Sequence, residues 1–331
     1  KKERVKRLIL QRFGEGHYEQ LPEDKRKILE SLEYQKREHE KAAIKKANDI
    51  TNSLLEGFGL PTFDVPERNI HIVPDNLYRQ IVKNTDIEAV TFQDRQAIVL
   101  NAEHLVHPID RISTIFHEII HLKNYLALEI NADEKEDSFN PYRSGLKISA
   151  SRKKEERVGF FTAFVGLNEA VVSEMEKRYL LQLLCDSENQ FLRDEYQWET
   201  SKEAQKLKKK VAKKYDTEAD EIMWISKDGK DFNFFSYYEQ RKVLYYIVDS
   251  LYEDNTDKFN SRDDVMKLFF KSHFDGRLLI LTRFIEKSFG KGAFRMLGMM
   301  DRDPNSATLV MDYLKKHRRK IKRMRRREKL F

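Results

Sequence analysis

Thr114-Ile115-Phe116-His117-Glu118-Ile119-Ile120-His121-Leu122 is the most informative run in this sequence. Two histidines four residues apart lie one above the other on a helix face, so both imidazoles can reach a single ion. The residue after the first histidine points beside that face. Glu118 stands there, where a carboxylate can take a proton from a water held by the ion without being a ligand itself. Thr114, Ile115 and Phe116 before the histidine pair, and Ile119, Ile120 and Leu122 within and after it, are uncharged. A buried metal helix requires such flanks and a solvated surface helix does not have them, which weighs against a chance match. Lys123 is a small departure from that pattern.

Working outward, Pro108 sits at a good helix-opening position with Asp110 in the first turn. The apolar pattern predicts a helix from there to about Glu129. Upstream, residues 89–92 and 97–100 are two apolar runs joined by Gln93-Asp94-Arg95-Gln96, which predicts a hairpin. Residues 69–73 read as a short strand and 74–82 as a short helix, with 61–66 a linker. The first sixty residues are helical in pattern, rich in Lys and Glu, without a strong heptad. Downstream, Asn140-Pro141 and Ser144-Gly145 are turn signals. Residues 146–150 and 158–164 form two strand candidates around the charged stretch 152–157. A second long helix starts near Leu167 and continues towards Tyr215, a small hairpin surrounds Asp228-Gly229, and helices follow to the C-terminus.

No internal repeat is present. The order of helices, small sheet, motif helix, hairpin and further helices indicates an α+β, predominantly helical fold. The corresponding division is an N-terminal helical segment 1–60, a catalytic domain 61–314 and a basic tail 315–331. Within the domain, 61–130 hold the sheet and motif helix, 131–166 a hairpin insert and 167–314 a helical subdomain.

Composition sets limits on what the chain can be. A 40 % hydrophobic content over 331 residues is enough for a core, while 35 % charged residues and few Gly and Pro favour long helices with solvated faces. A single cysteine, Cys185, excludes an internal disulfide framework and a thiolate-only metal site, and fits a reducing, cytoplasmic setting. No apolar run approaches the roughly 18 residues of a membrane span. A start at Lys1-Lys2 without an initiator Met is compatible with a removed upstream signal or anchor. The net charge of +7 is a property of the tail. Residues 315–331 carry eleven Lys or Arg against one acid, Glu328, a local balance of +10 that leaves −3 for the rest.

A catalytic zinc site needs a third protein ligand. On the second long helix stands Gly166-Leu167-Asn168-Glu169-Ala170. His117-Glu118-x-x-His121 followed by Asn168-Glu169-Ala170 resembles the gluzincin metallopeptidases, the thermolysin-like group. That resemblance covers two short helical segments, about a tenth of the chain, with a generic match in the sheet before the motif helix. It implies a zincin-like fold, Zn2+ as cofactor, Glu169 as third ligand, and hydrolysis of a peptide or protein substrate by a water activated at the metal and by Glu118. Two features depart from the family pattern. Ser173 occupies the position four after the ligand Glu, where the family has an acid that holds the first histidine. Ser173 could accept the imidazole N–H more weakly, or Glu176 could reach in from the next turn. The 47 residues between His121 and Glu169 make a longer insert than in thermolysin. Asn168 and Ser173 are the supporting residues this reading nominates. Against it, Glu169 can serve only its helix dipole or cap, and His104 and His107 are rival ligands that Pro108 separates from the motif helix.

Residues 97–101 are nominated by the resemblance as the sheet edge that pairs with an extended substrate, a central strand being the alternative of equal weight. For an additional oxyanion donor, Phe235-Ser236-Tyr237-Tyr238-Glu239-Gln240-Arg241 resembles a Tyr-containing segment of bacterial gluzincin-like peptidases and points to Tyr238, with Tyr237, Arg241 and His273 as alternatives. Fourteen tyrosines make packing the competing role for each. From Lys315 to Lys329 the tail can bind nucleic acid, an acidic lipid or an acidic partner, or be a solvated helix; lacking interleaved aromatics, it does not indicate base stacking. Residues 202–214 are a second basic stretch that reads as a solvated face. Two other functions stay open. One is a protease recruited to nucleic acid by its tail, although crosslink-removing proteases use a third His soon after the motif and this chain has none between His121 and His273. The other is a non-catalytic helical binding protein with a degenerate metal site.

Overall fold

In the computed structural model, which describes residues 23–82, 87–93, 95–132, 137–154, 157–186 and 188–328, the chain is α+β and predominantly helical. Residues 1–22 of the N-terminal segment, Asp94 of the hairpin turn and residues 329–331 of the tail lie outside that description. Helices α1 (Glu23–Leu32) and α2 (Glu38–Gly57) lead to β1 (Ile70–Val73), α3 (Asp75–Ile81), β2 (Ala89–Phe92), β3 (Ala97–Asn101) and the motif helix α4 (Pro108–Leu122). Four strands follow, β4 (Leu126–Ala132), β5 (Asp137–Ser144), β6 (Lys147–Lys154) and β7 (Arg157–Ala163). Then come α5 (Val165–Leu184), α6 (Gln190–Glu199), α7 (Lys202–Tyr215), β8 (Ile222–Ile225) and β9 (Phe232–Phe234). The chain ends with α8 (Tyr238–Asp254), α9 (Arg262–Asp275), α10 (Leu278–Phe289), α11 (Ala293–Leu297) and α12 (Ser306–Glu328). Among the described residues no helix is long and apolar enough to cross a membrane.

Two compact units interleave along the sequence. The first comprises Lys1–Lys123, Ile130–Asn140 and Glu176–Phe235. Its sheet has the order β1-β3-β2, with β1 parallel and β2 antiparallel to β3. Val73, Tyr78, Val82 and Val99 form one apolar cluster of this unit, and Leu77, Val90 and Phe92 pack on it. Helix α4 lies against β2 and β3 on one side and α2 on another, which explains why Ile109, Ile112, Ile115, Phe116, Ile119 and Ile120 are all buried. Pro108 opens α4 as expected, and the His107 side chain caps it by accepting the Ile109 N–H.

The second unit comprises Asn124–Glu129, Pro141–Met175 and Ser236–Phe331. Here β6 pairs antiparallel with β5 and β7. Leu244, Phe269, Phe270, Leu281, Phe289 and Leu314 are buried core residues of its helices. The basic segment from Lys315 is the second half of α12, and part of its charge is engaged. Arg318 pairs with Glu253 and Asp254 at 2.8 and 3.2 Å, and Lys322 reaches Glu253 at 3.2 Å.

Four expectations are corrected. The motif helix ends at Leu122 rather than near Glu129. The Tyr125 N–H donates to the His273 carbonyl instead of continuing the helix, and the alternation Leu126, Leu128, Ile130 then suits a strand. The helix expected from Leu167 to Tyr215 is three helices. Asn189 caps the second through the Leu192 N–H, and Ser201 caps the third through the Ala204 N–H. The N-terminal pattern breaks between α1 and α2, where the Tyr34 N–H donates to the Ile72 carbonyl at 2.8 Å and Glu40 accepts the Arg37 N–H. Finally, Ala97–Asn101 is the central strand of its sheet, hydrogen-bonded on both sides, so it offers no edge to a peptide; β2 is an edge strand.

Lys123 ends α4 only 3 % exposed, its ammonium donating to Asn52 Oδ1 at 2.8 Å and to the Asn48 carbonyl at 3.4 Å. Burial pushes its pKa down to about 8, against the opposing pull of Asp64 and Asp49. The folded amine therefore releases its proton before the unfolded one does. Stability is expected to rise between about pH 8 and about pH 10.5. Lys123→Met should abolish that rise and add about 1–3 kcal/mol at pH 7, because an apolar side chain needs no hydration there. Urea titrations of both proteins at pH 7 and 9.5 check this; an unchanged pH dependence in the variant would sink it.

Candidate metal centre

Helix α4 places His117 and His121 one turn apart on one face, as four-residue spacing requires. Their Nε2 atoms lie 3.1 Å from each other. Two ligands at 2.0–2.1 Å from a tetrahedral zinc stand about 3.3 Å apart, so the pair matches the donor spacing of one shared ion. Together with a Glu169 carboxylate oxygen, the ligand atoms of His117 and His121 all lie within 4.8 Å of one another. The donor set of two imidazoles and a carboxylate is one that zinc accepts, with a coordination position left over.

The orientation of His117 has a structural cause. Its Nδ1 faces Glu176 Oε2 at 3.1 Å, and the same carboxylate accepts the Ser113 hydroxyl at 2.6 Å through Oε1. An imidazole whose Nδ1–H is donated to a carboxylate keeps its lone pair on Nε2, the nitrogen directed at His121. Glu176 lies seven residues after Glu169 on α5, about two helical turns, so the two acids share one face. The sequence alone allowed either Ser173 or Glu176 at the imidazole. The carboxylate takes the position, while the Ser173 hydroxyl donates to the Ser236 carbonyl at 2.9 Å.

Glu118 is buried to 8 % exposure beside the histidine pair. Thr91, on the edge strand β2, donates its hydroxyl to Glu118 Oε2 at 2.6 Å and to the Glu118 carbonyl at 3.2 Å. Gln93, just beyond that strand, donates through Nε2 to the His121 carbonyl at 3.0 Å. Thr91 and Gln93 thus tie the edge strand to the motif helix. Nothing in the sequence marks them, since their role depends on β2 lying along α4.

The other nominated residues have partners and surroundings of their own. Asn168 Oδ1 accepts the Leu146 N–H at 2.9 Å and lies 3.2 Å from His273 Nδ1. Gly145 makes this approach practicable: at φ +57, a Cβ there would stand 2.6 Å from both Asn168 Oδ1 and His273 Nδ1. Tyr238 is the first residue of α8, with the Lys242 ammonium 4.8 Å from its ring centroid. Tyr237 precedes it in left-handed backbone at φ +58, and Arg241 is fully buried. Of the rival histidines, His104 lies 3.8 Å from Asp75. His107 stacks on Trp224 at 3.6 Å between ring centroids. Burial lowers the His107 pKa, opposed by Asp110 and Asp231, which suits a neutral ring accepting at the helix cap. Searched against protein-family models, curated proteins and solved structures, the chain matches none of them.

Proposed function

We propose that this chain is a zinc-dependent peptidase of gluzincin-like type, with His117, His121 and Glu169 as metal ligands and Glu118 as general base. The observation that carries the reading is the convergence of those three ligand side chains within 4.8 Å. The carboxylate that follows the first histidine supports it. Zinc held there would supply Lewis acidity and bring a water's pKa to about 7. Glu118, anchored at Oε2 by Thr91, has its other carboxylate oxygen to take a proton and later return it to the leaving amine. Glu176 fixes the His117 tautomer, and Ser113 fixes Glu176. An extended peptide would pair with β2, the edge strand, and not with the central β3. Tyr238, beneath Lys242, carries no step in this reading.

The test is metal analysis of purified wild type beside His121→Ala and Glu118→Gln. About one zinc per chain is expected in wild type, lost in the histidine variant and retained in the glutamate variant. A correctly folded wild type that takes up no zinc would overturn the proposal.

A further inference from the structure

Helix α7 carries Lys202, Lys206, Lys209, Lys210, Lys213 and Lys214 exposed to solvent, against one exposed acid, Glu203. At 100° per residue, Lys202, Lys206, Lys209 and Lys213 fall within an arc of about 60°, a straight row about 16 Å long. Four lysine pairs are four residues apart: 202 with 206, 206 with 210, 209 with 213 and 210 with 214. Like charges at that spacing oppose helix formation. Among the described residues no carboxylate pairs with any of these six lysines, whereas Lys208, on the buried side, is matched by Glu199 at 2.6 Å. In α12, by contrast, Arg318 and Lys322 are neutralised by acids. The α7 row is a positive stripe whose lysines have no carboxylate in ion-pair contact among the described residues.

Its opposite face is already used. Ala204, Val211 and Ala212 pack with Ile222 and Ile225 of the β8-β9 hairpin, so no apolar face remains to enter a lipid layer. That hairpin adds a second feature. Tyr215, at the end of α7 and 49 % exposed, meets Phe232 and Phe234 at centroid distances of 5.5 and 5.6 Å, and the Lys214 ammonium stands 5.2 Å from its ring. A row of cations ending on an exposed aromatic ring is the combination that follows a phosphate backbone and stacks a base.

We propose that α7 and the Tyr215 aromatic cluster form a binding surface for single-stranded nucleic acid. The lysine row spans about five nucleotides at 3.4 Å per stacked base. Tyr215 supplies the stacking platform, so recognition is of backbone charge and base faces rather than of sequence. This surface is independent of the zinc-site assignment, and its test does not read peptidase activity.

Fluorescence anisotropy of labelled 20-nucleotide single strands, DNA and RNA, with the intact protein between 50 and 200 mM NaCl provides the experiment. Affinity should fall with salt. Lys206→Gln, Lys209→Gln and Lys213→Gln combined should reduce the salt slope by about 2, near 0.7 for each phosphate that is no longer neutralised. Tyr215→Ala should weaken binding about five- to hundredfold and Tyr215→Phe should leave it within about twofold. The triple variant should also melt at a higher temperature than wild type, because like-charge pairs are relieved. No binding at 50 mM NaCl, or binding that the triple variant leaves unchanged, would overturn the proposal. So would capture of the protein by phosphatidylserine vesicles that single strands fail to displace, which would assign the surface to a membrane.

Discussion

Glu118→Gln is expected to lower the turnover of a quenched fluorescent peptide library or casein by about a thousandfold, within the 10²–10⁴ range that a positioned acid–base group supplies. Zinc content and fold should stay as in wild type. The amide is nearly isosteric and its oxygen can still accept the Thr91 hydroxyl, which now bonds Glu118 Oε2 at 2.6 Å. It cannot hold a proton for transfer. The loss should therefore appear in kcat with little change in KM. Activity within about tenfold of wild type would remove Glu118 from the base role. A wild type that holds zinc yet cleaves no peptide would instead mark a non-catalytic metal-binding protein.

Arg241→Ala is expected to destabilise the protein by about 3–5 kcal/mol, the range for leaving a buried partner charge uncompensated. Arg241 is fully buried in the second unit. Its Nε donates to the Ser236 carbonyl at 3.1 Å and its guanidinium donates to the Tyr245 hydroxyl at 3.3 Å. That hydroxyl in turn donates to Glu174, buried on α5. Removing the cation takes away the positive charge behind the Tyr245 hydroxyl that donates to Glu174, and takes a donor from Ser236, whose carbonyl also accepts from Ser173. Arg241→Lys keeps the charge but not the planar fork, and should recover only part of the loss. Urea unfolding at 25 °C measures both variants, and a loss below about 1 kcal/mol for the alanine variant would show that the network is not a stability element.

Much of the local structure could be read from periodicity and caps. Pro108 and the uncharged flanks of the histidine pair mark α4, two short apolar runs joined by a polar turn mark β2 and β3, and Asp228-Gly229 marks the β8-β9 turn. Element boundaries were less legible where a side chain stops a helix that propensity would extend. Asn189 and Ser201 divide the expected long helix by accepting backbone N–H groups.

The candidate site divides in the same way. Four-residue spacing on one helix suffices to bring His117 and His121 together, with Glu118 beside them, because helix geometry is local. Glu169 could be nominated only by resemblance, and its carboxylate, which converges with the histidine pair, lies 48 positions after His121. Whether Ser173 or Glu176 meets His117 depends on how α5 packs against α4, which no spacing within either helix specifies. The place of Ala97–Asn101 at the centre of its sheet likewise follows from the parallel pairing Ile70↔Ile98, a long-range contact that a local apolar run does not reveal. By itself, then, the sequence determined the motif helix, its two histidines and the class of fold. The acid behind His117, the Thr91 anchor and the identity of the edge strand were decided by tertiary packing, since each is a contact between elements far apart along the chain.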